Sequence, residues 1–323
     1  MMRLAEGLAR AGHDPQLQWF DRAYEWKPWK LRDVQAPVGT DLVHAGSWQG
    51  FAFRREDIPL VVTEHQYIRH PEFLPHRGRL QTVYHNLFVS QCVERSYRAA
   101  DTIVAVSEHA ARAMRRNLQH PVHVIHNWVD TKAYSPAQPV PRVAGRPFRL
   151  LFVGNPSRWK GADVLPELAV RLGSEFDIQC LGGLRHSFDA RELPPSMRLL
   201  SRVSPEEMPA VYQGVDAVLV PTRYEAFGYV AVEAMACGLP VLGFDSTGTA
   251  EVCIHGETAL LARMNDVVQL AAYARMLLAD TSLCARLGEA GRQRVVAHFC
   301  EERAMAAYIS LYLELIKGRP RRD

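Results

Sequence analysis

Residues Val220–Pro240 read VPTRYEAFGYVAVEAMACGLP. An apolar run ends at Val220–Pro221, a polar loop with Glu225 and Gly228 follows, and a helical stretch rich in small residues closes near Gly238. Strand, loop and helix in that order form the repeating unit of a parallel α/β sheet. The loop is where ligand chemistry belongs. Phe227 and Gly228, with Tyr229 beside them, fall at a helix N-terminus, whose free N–H groups suit a phosphate or a sugar hydroxyl. Glu233, about a turn further in, is placed to accept hydrogen bonds from a ribose diol, as acidic residues do in dinucleotide sites. A competing reading pairs Glu225 with Glu233 as the acid and base of a hydrolase. If the span were wholly helical, the two would lie about 12 Å apart along the axis and about 80° apart around it. Glycoside hydrolysis needs carboxylates roughly 5–5.5 Å apart, or roughly 6.5–9.5 Å with an intervening water. That reading is weak, and a solvated helix residue is the plain alternative for either carboxylate taken singly.

The second informative stretch is Leu150–Asp163, LLFVGNPSRWKGAD. A strand ends at Val153, Gly154 opens a turn, and Arg158 and Lys160 come near the start of the next helix. Two cations at a strand's C-terminal end can stabilise a diphosphate as it takes up negative charge. A surface turn explains the stretch equally well when it is taken alone.

Working outward, short β-rich runs alternate with helical stretches along the chain. The runs are Leu17–Phe20, Asp41–His44, Leu60–Thr63, Thr102–Val106 and Val122–Ile125, then Phe148–Val153, Phe176–Leu181, Arg198–Leu200, Ala217–Val220 and Val241–Phe244. Continuous apolar strands in such alternation imply parallel sheets covered on both faces. The stretch 136–147, PAQPVPRVAGRP, reads as a stiff linker. It divides the chain into an acceptor-side domain (1–140), a donor domain (141–300) and a terminal helix with a basic tail (301–323). The fold class is therefore α/β, with two Rossmann-like, doubly wound parallel-sheet domains facing each other across a cleft. Residues 3–12 read as a helix with no strand or glycine-rich turn ahead of it, so the N-terminal domain reads as lacking its first strand.

Composition excludes several classes. At 323 residues, 48% hydrophobic and 23% charged, the chain matches neither disordered nor fibrous proteins. No apolar run reaches the roughly 18 residues of a membrane-spanning helix. Arg3, Glu6 and Arg10 break any signal-peptide core in Met1–Asp14. The six cysteines lie far apart without a CxxC pair, which argues for reduced thiols in a cytoplasmic setting. His70, His76 and His85 lack metal-ligand spacing, and no Asp-x-Asp motif is present, so no metal is expected. The net charge of +3 is too small to imply nucleic acid. Segment 69–98, with five arginines against Glu72 and Glu94, forms a mildly basic face suited to an anionic acceptor or to the headgroups of an inner membrane surface.

Taken together, the stretches DLVHAG, VVTEH, TIVAVSEHA, VIHNWVD, FVGNPSRWKGAD, DAVLVPTRYEAFGYVAVEAMACGLPVLG and GTAEVCIHGETALLA resemble the retaining glycosyltransferases of the GT-B fold, family 4. The resemblance covers nearly the whole chain, and EAFGYVAVE is its most specific part. It implies a nucleotide-sugar donor, a glycan or glycolipid acceptor, retention of configuration, no cofactor, and a place in cell-surface polysaccharide or lipopolysaccharide synthesis. It implies that His65, which ends VVTEH, and Glu225 act at the donor sugar as the catalytic residues. The donor-binding set would be Gly154, Arg158, Lys160, Val203, Phe227, Gly228, Tyr229 and Glu233, with Val203 near the nucleobase. Asn155 stands where the family usually has an arginine, a role that Arg158 would take over. Trp128 replaces the glycine of the family's NG-x-D turn. His44, in DLVHAG, reads as structural first. Two rival readings remain: a non-catalytic homologue that binds nucleotide or a partner enzyme, and a sugar-nucleotide epimerase of the same fold.

Overall fold

The computed structural model describes residues 1–137, 145–182 and 193–318. It divides into two compact units, Met1–Asn127 together with Glu301–Asp323, and Trp128–Cys300. The division falls ahead of the proline-rich stretch, of which residues 138–144 lie outside the described part.

The first unit holds a parallel sheet of β1 (Val43–Gly46), β2 (Leu60–Glu64), β3 (Thr102–Ala105) and β4 (Val122–Val124), in the order β1-β2-β3-β4. Every residue of β2 and β3 is buried, as expected of strands covered on both faces. On one face Ala45, Leu60, Val62, Ile103 and Ala105 pack with Val89, from the turn His85–Val89, and with Val93, Tyr97 and Met114 from the helices Ser90–Ala99 and Glu108–Arg115. Ser107 caps the second of these helices, its hydroxyl accepting the Ala110 N–H at 3.1 Å. The sequential strand order explains why these helices share a face, since each right-handed crossover steps the same way.

The opposite face is covered from the far end of the chain. His44 and Thr63 point to that side, and the helix Glu301–Lys317 lies against them. The His44 ring reaches the Tyr312 hydroxyl at 2.5 Å through Nδ1 and the Thr63 hydroxyl at 2.6 Å through Nε2. Arg10, in the opening helix Met2–Arg10, holds Glu301 at 2.6 Å. The terminal helix Glu301–Lys317 therefore helps complete the core of the first unit.

The second unit carries β5 (Phe148–Val153), β6 (Phe176–Leu181), β7 (Met197–Leu200), β8 (Ala217–Val220), β9 (Val241–Phe244) and β10 (Ala259–Ala262). All pairings are parallel, and the order β10-β9-β8-β5-β6-β7 reverses direction at β5. This is the doubly wound pattern, whose ligand crevice lies beyond the strand C-termini where the order reverses, here β5 and β8.

Two expectations need correction. Leu17–Phe20 forms no strand. All four residues are exposed, and Phe20 stacks on Phe53 with ring centroids 5.6 Å apart, so the run has aromatic contacts but no ladder partner. The helical stretch expected between β1 and β2 amounts to one short turn, Gly50–Phe53. Trp128, in place of the turn glycine, is buried and keeps negative φ.

Candidate functional site

The loops after β5 and β8 build the site. Beyond Val153 the chain turns at Gly154, whose N–H donates to the Leu181 carbonyl at 3.0 Å. A single helical turn, Arg158–Lys160, follows and ends at Gly161, with φ +75°. A side chain at 161 would place its Cβ 1.9 Å from the Pro221 carbonyl oxygen, so only glycine lets the two loops meet there.

Meeting there brings Lys160 and Glu225 together. The Lys160 ammonium donates to Glu225 Oε2 at 2.5 Å, and each side chain is 17% exposed. The Lys160 charge also lies 4.7 Å from the centre of the Trp159 ring. Glu225 is fixed from behind. Its N–H donates to the Thr247 hydroxyl at 2.7 Å, and its carbonyl accepts the Gly248 N–H at 2.9 Å. Thr247 has φ +37°, a strained conformation for a β-branched residue, held at the point where it supports Glu225. Arg158 itself is exposed.

Sequence reasoning missed the clamp between the two loops. Arg223 binds both carboxylate oxygens of Asp163, at 2.7 and 3.0 Å, and donates to the Arg158 carbonyl. Its N–H also donates to the Trp159 carbonyl at 2.8 Å. Both partners lie inside the quoted stretches, as TRYE and KGAD, but a pair 60 residues apart leaves no periodic signal.

Gly228 is the N-cap of the helix Tyr229–Ala236, in left-handed conformation at φ +104°, and offers no side chain to cap the first N–H groups. That leaves a helix N-terminus open to an anion or a hydroxyl. Phe227 is buried beside it, edge-on to Tyr229 at 5.4 Å, while Tyr229 stays exposed. Because the helix starts at Tyr229, Glu225 lies in the loop, and no continuous helix joins it to Glu233. Glu233 Oε2 accepts the Tyr212 hydroxyl at 2.8 Å. Tyr212 is fully buried, and burial together with the Glu233 charge pushes its pKa well up, so it is a fixed donor that orients the carboxylate. The helix is held at close range, since a Cβ on Gly288 would lie 2.0 Å from the Gly238 carbonyl oxygen. Val203 is half-buried in the loop between β7 and the helix Met208–Gln213.

In the first unit, His65 follows directly on β2 and retains exposed surface. Desolvation by the atoms crowding its ring, then the Met1 ammonium, lowers its pKa. Glu64 before it is buried. Burial raises its pKa, against hydrogen bonds from the Tyr97 hydroxyl, the Gln66 N–H and Ser47. These bonds fix the backbone from which His65 projects. His44 is held neutral, its pKa lowered to about 3 by desolvation and then by the charges of His65 and the N-terminus, in keeping with a structural part. His70, Glu72 and His109 bring ligand-type atoms within 4.8 Å of one another. However, His70 Nδ1 already accepts the Glu72 N–H at 3.3 Å, and the two rings stack 4.5 Å apart.

A doubly wound sheet with a cation–carboxylate pair at its switch point, an uncapped helix start and an oriented acid beyond it suits a ligand that combines phosphate, diol and sugar. Paired with a second parallel α/β unit, it defines the GT-B class of glycosyltransferases. Comparison with known families agrees: residues 137–294 match the glycosyl transferases group 1 family, and residues 16–133 match glycosyltransferase family 4. The D-inositol 3-phosphate glycosyltransferase of Xylanimonas cellulosilytica is 28% identical over 319 residues, covering 87% of this chain and 74% of that protein. Among solved structures, sucrose-phosphate synthase from Thermosynechococcus elongatus superimposes with a TM-score of 0.80 at 22% identity, over 98% of this chain and 92% of that one. Anabaena HepE, in complex with UDP-glucose, gives 0.64 at 18% identity, over 81% and 73%. The chain belongs to the group 1, family 4 glycosyltransferases of the GT-B fold, enzymes that draw on nucleotide-sugar donors.

Proposed function

We propose that the chain transfers a sugar from a nucleoside diphosphate sugar to a glycan or glycolipid acceptor with retention of configuration, in the synthesis of a cell-surface polysaccharide or lipopolysaccharide. The observation that carries the donor half of this reading is the Lys160–Glu225 pair at the β5/β8 switch point, one loop from the open helix start at Gly228. On donor binding, the diphosphate replaces Glu225 as the partner of Lys160, with Arg158 adding charge from the same turn. Glu225, released, accepts hydrogen bonds from the donor sugar, whose oxygens also meet the N–H groups of the 227–229 segment. Glu233, already oriented by Tyr212, takes the ribose diol, and Val203 borders the base.

As the bond from the anomeric carbon to the phosphate oxygen breaks, Lys160 and Arg158 stabilise the charge on the departing nucleoside diphosphate. The acceptor hydroxyl attacks from the leaving-group face and passes its proton to the departing phosphate oxygen. No covalent nucleophile is required. His65 is retained as a catalytic candidate, on the resemblance and on its place at the C-terminal end of β2, the end from which open α/β sheets present functional side chains.

The reading is tested by thermal stability of the purified chain against UDP, GDP, ADP and UDP-glucose, the last suggested by the HepE complex. A ligand at 100 times its Kd stabilises by about 2.7 kcal/mol. A selective shift that is lost in Glu233→Ala supports the donor site. No shift with any nucleotide, in a folded sample, overturns it. Retention is read from the anomeric coupling constant of the product, and an inverted product refutes the front-face course. Activity unchanged by chelator is expected if no metal takes part. Stabilisation by nucleotide with no turnover of any acceptor leaves the non-catalytic homologue as the better reading.

A further inference from the structure

The first unit carries apolar surface that neither fold nor donor chemistry uses. The helix Arg79–Tyr84 runs through a wide turn, His85–Val89, into Ser90–Ala99. Its later half buries Val89, Cys92, Val93, Ser96 and Tyr97. Its earlier half does the reverse: Leu80 is 88% exposed, Val83 55% and Leu87 67%. At spacings of three and four these residues line one side of the helix, so the outward face is the apolar one.

A second exposed element lies beside it. Trp26-Lys27-Pro28-Trp29-Lys30 buries its proline and presents both tryptophans and both lysines to solvent. The Trp26 ring packs against Tyr84, 5.0 Å between centroids, which fixes this element next to Val83. Amphipathic aromatics interleaved with lysines, flanking an apolar stripe, are the side chains that favour the boundary between headgroups and acyl chains.

Charge selects the partner. From Phe73 to Val93 the sequence contains no acidic residue; exposed Arg79 stands at the head of the stripe, and exposed Lys27 and Lys30 lie on the neighbouring element. Among the described residues none of Arg79, Lys27 and Lys30 has a carboxylate within ion-pair distance. Glu94, the next acid along, is held by both Arg69 and Arg98. An anionic surface therefore meets unneutralised cations around the apolar stripe.

We propose that this face of the first unit docks on an anionic lipid bilayer, with Leu80, Val83 and Leu87 entering below the headgroups, Trp26 and Trp29 at the boundary, and Lys27, Lys30 and Arg79 on lipid phosphates. The proposal is independent of the transfer reaction, and its failure leaves the donor site untouched.

The test is cosedimentation of the full chain with large unilamellar vesicles of phosphatidylcholine alone or with 30% phosphatidylglycerol (about one anionic lipid in three), at low and physiological salt. Binding is expected to the anionic vesicles, weaker to the neutral ones, and reduced by salt. The triple variant L80Q/V83Q/L87Q is expected to lose at least tenfold in vesicle affinity, and K27Q/K30Q/R79Q to lose the salt-sensitive part. Each variant is checked for an unchanged melting temperature, which exposed positions permit. Absence of vesicle binding by the parent chain, or binding unaffected by the triple variant in a folded sample, overturns the proposal. Concentration-dependent dimerisation that the triple variant abolishes, without lipid binding, overturns it in favour of a second copy as the occupant.

Discussion

Replacing Glu225 by Gln should make the chain bind a nucleoside diphosphate more tightly while making it a poorer transferase. The geometry sets up this opposition. Lys160 spends the ligand-free state donating to Glu225 at 2.5 Å, with both side chains largely shielded from water. A hydrogen bond between charged groups in such a place contributes about 1.5–3 kcal/mol net, and a diphosphate must compete with it for the ammonium. Gln keeps the shape of the side chain, and its amide can still approach Lys160 through the carbonyl, but the charge is gone. At about 1.4 kcal/mol per tenfold, relief of the competition is worth roughly a tenfold fall in Kd for UDP, with a ceiling near a hundredfold. The assay is titration calorimetry of UDP with parent and variant at two ionic strengths, the gain being smaller at high salt. Transfer should fall by about a hundredfold or more in kcat, because the carboxylate is lost from the donor sugar while binding of the nucleotide is retained. UDP affinity unchanged within twofold, or weakened, in a variant whose melting temperature matches the parent would refute the argument that Glu225 holds the place of the phosphates.

Three further outcomes follow from the geometry. Gly161→Ala forces a left-handed alanine and a 1.9 Å contact with the Pro221 carbonyl, so a loss of at least about 2 kcal/mol is expected, seen as a melting temperature lower by several degrees. Tyr212→Phe removes the donor to Glu233 and should weaken UDP several-fold but leave 2′-deoxy-UDP unchanged; equal loss for both ligands would remove Glu233 from the ribose. His44 is held neutral down to about pH 3 in the folded chain, whereas an unfolded histidine titrates near 6.5. The stability this provides is therefore complete above about pH 6.5 and is lost as pH falls from there toward 3, at up to about 1.4 kcal/mol per pH unit. Equilibrium unfolding across that window should show the slope, and His44→Gln should reduce it, the remainder coming from His70, held to about 4, and from the lowered His65 and His85.

Much of the architecture was legible because parallel strands buried on both faces leave uninterrupted apolar runs. Phe148–Val153, Phe176–Leu181, Ala217–Val220 and Val241–Phe244 stand in the structure with the limits the sequence suggests. Ala259–Ala262 escaped because two of its four residues are alanine and the others leucine, so composition does not separate strand from helix. Leu17–Phe20 misled for the opposite reason: its aromatic residues favour strands, but a strand exists only where another edge receives it. The site was legible as types of residue at the ends of strands, and not as contacts. That Lys160 meets Glu225, that Arg223 grips Asp163 and that Tyr212 turns Glu233 are facts about positions 21 to 65 residues apart, fixed by sheet order. The allegiance of Glu301–Lys317 was likewise hidden, since an amphipathic pattern shows that a helix has a buried face but not which sheet receives it.

The way that helix closes the first unit sets an order of events at the ribosome. The strands of the first unit emerge first, yet the side carrying His44 and Thr63 lacks the cover of Glu301–Lys317 until that helix is made, with 173 residues between Asn127 and Glu301. At typical synthesis rates of roughly 5–20 residues per second, that is a wait of about 9–35 s with an apolar sheet face open. The second unit, continuous in sequence, can finish folding during the wait. The half of the molecule made first is thus the half completed last.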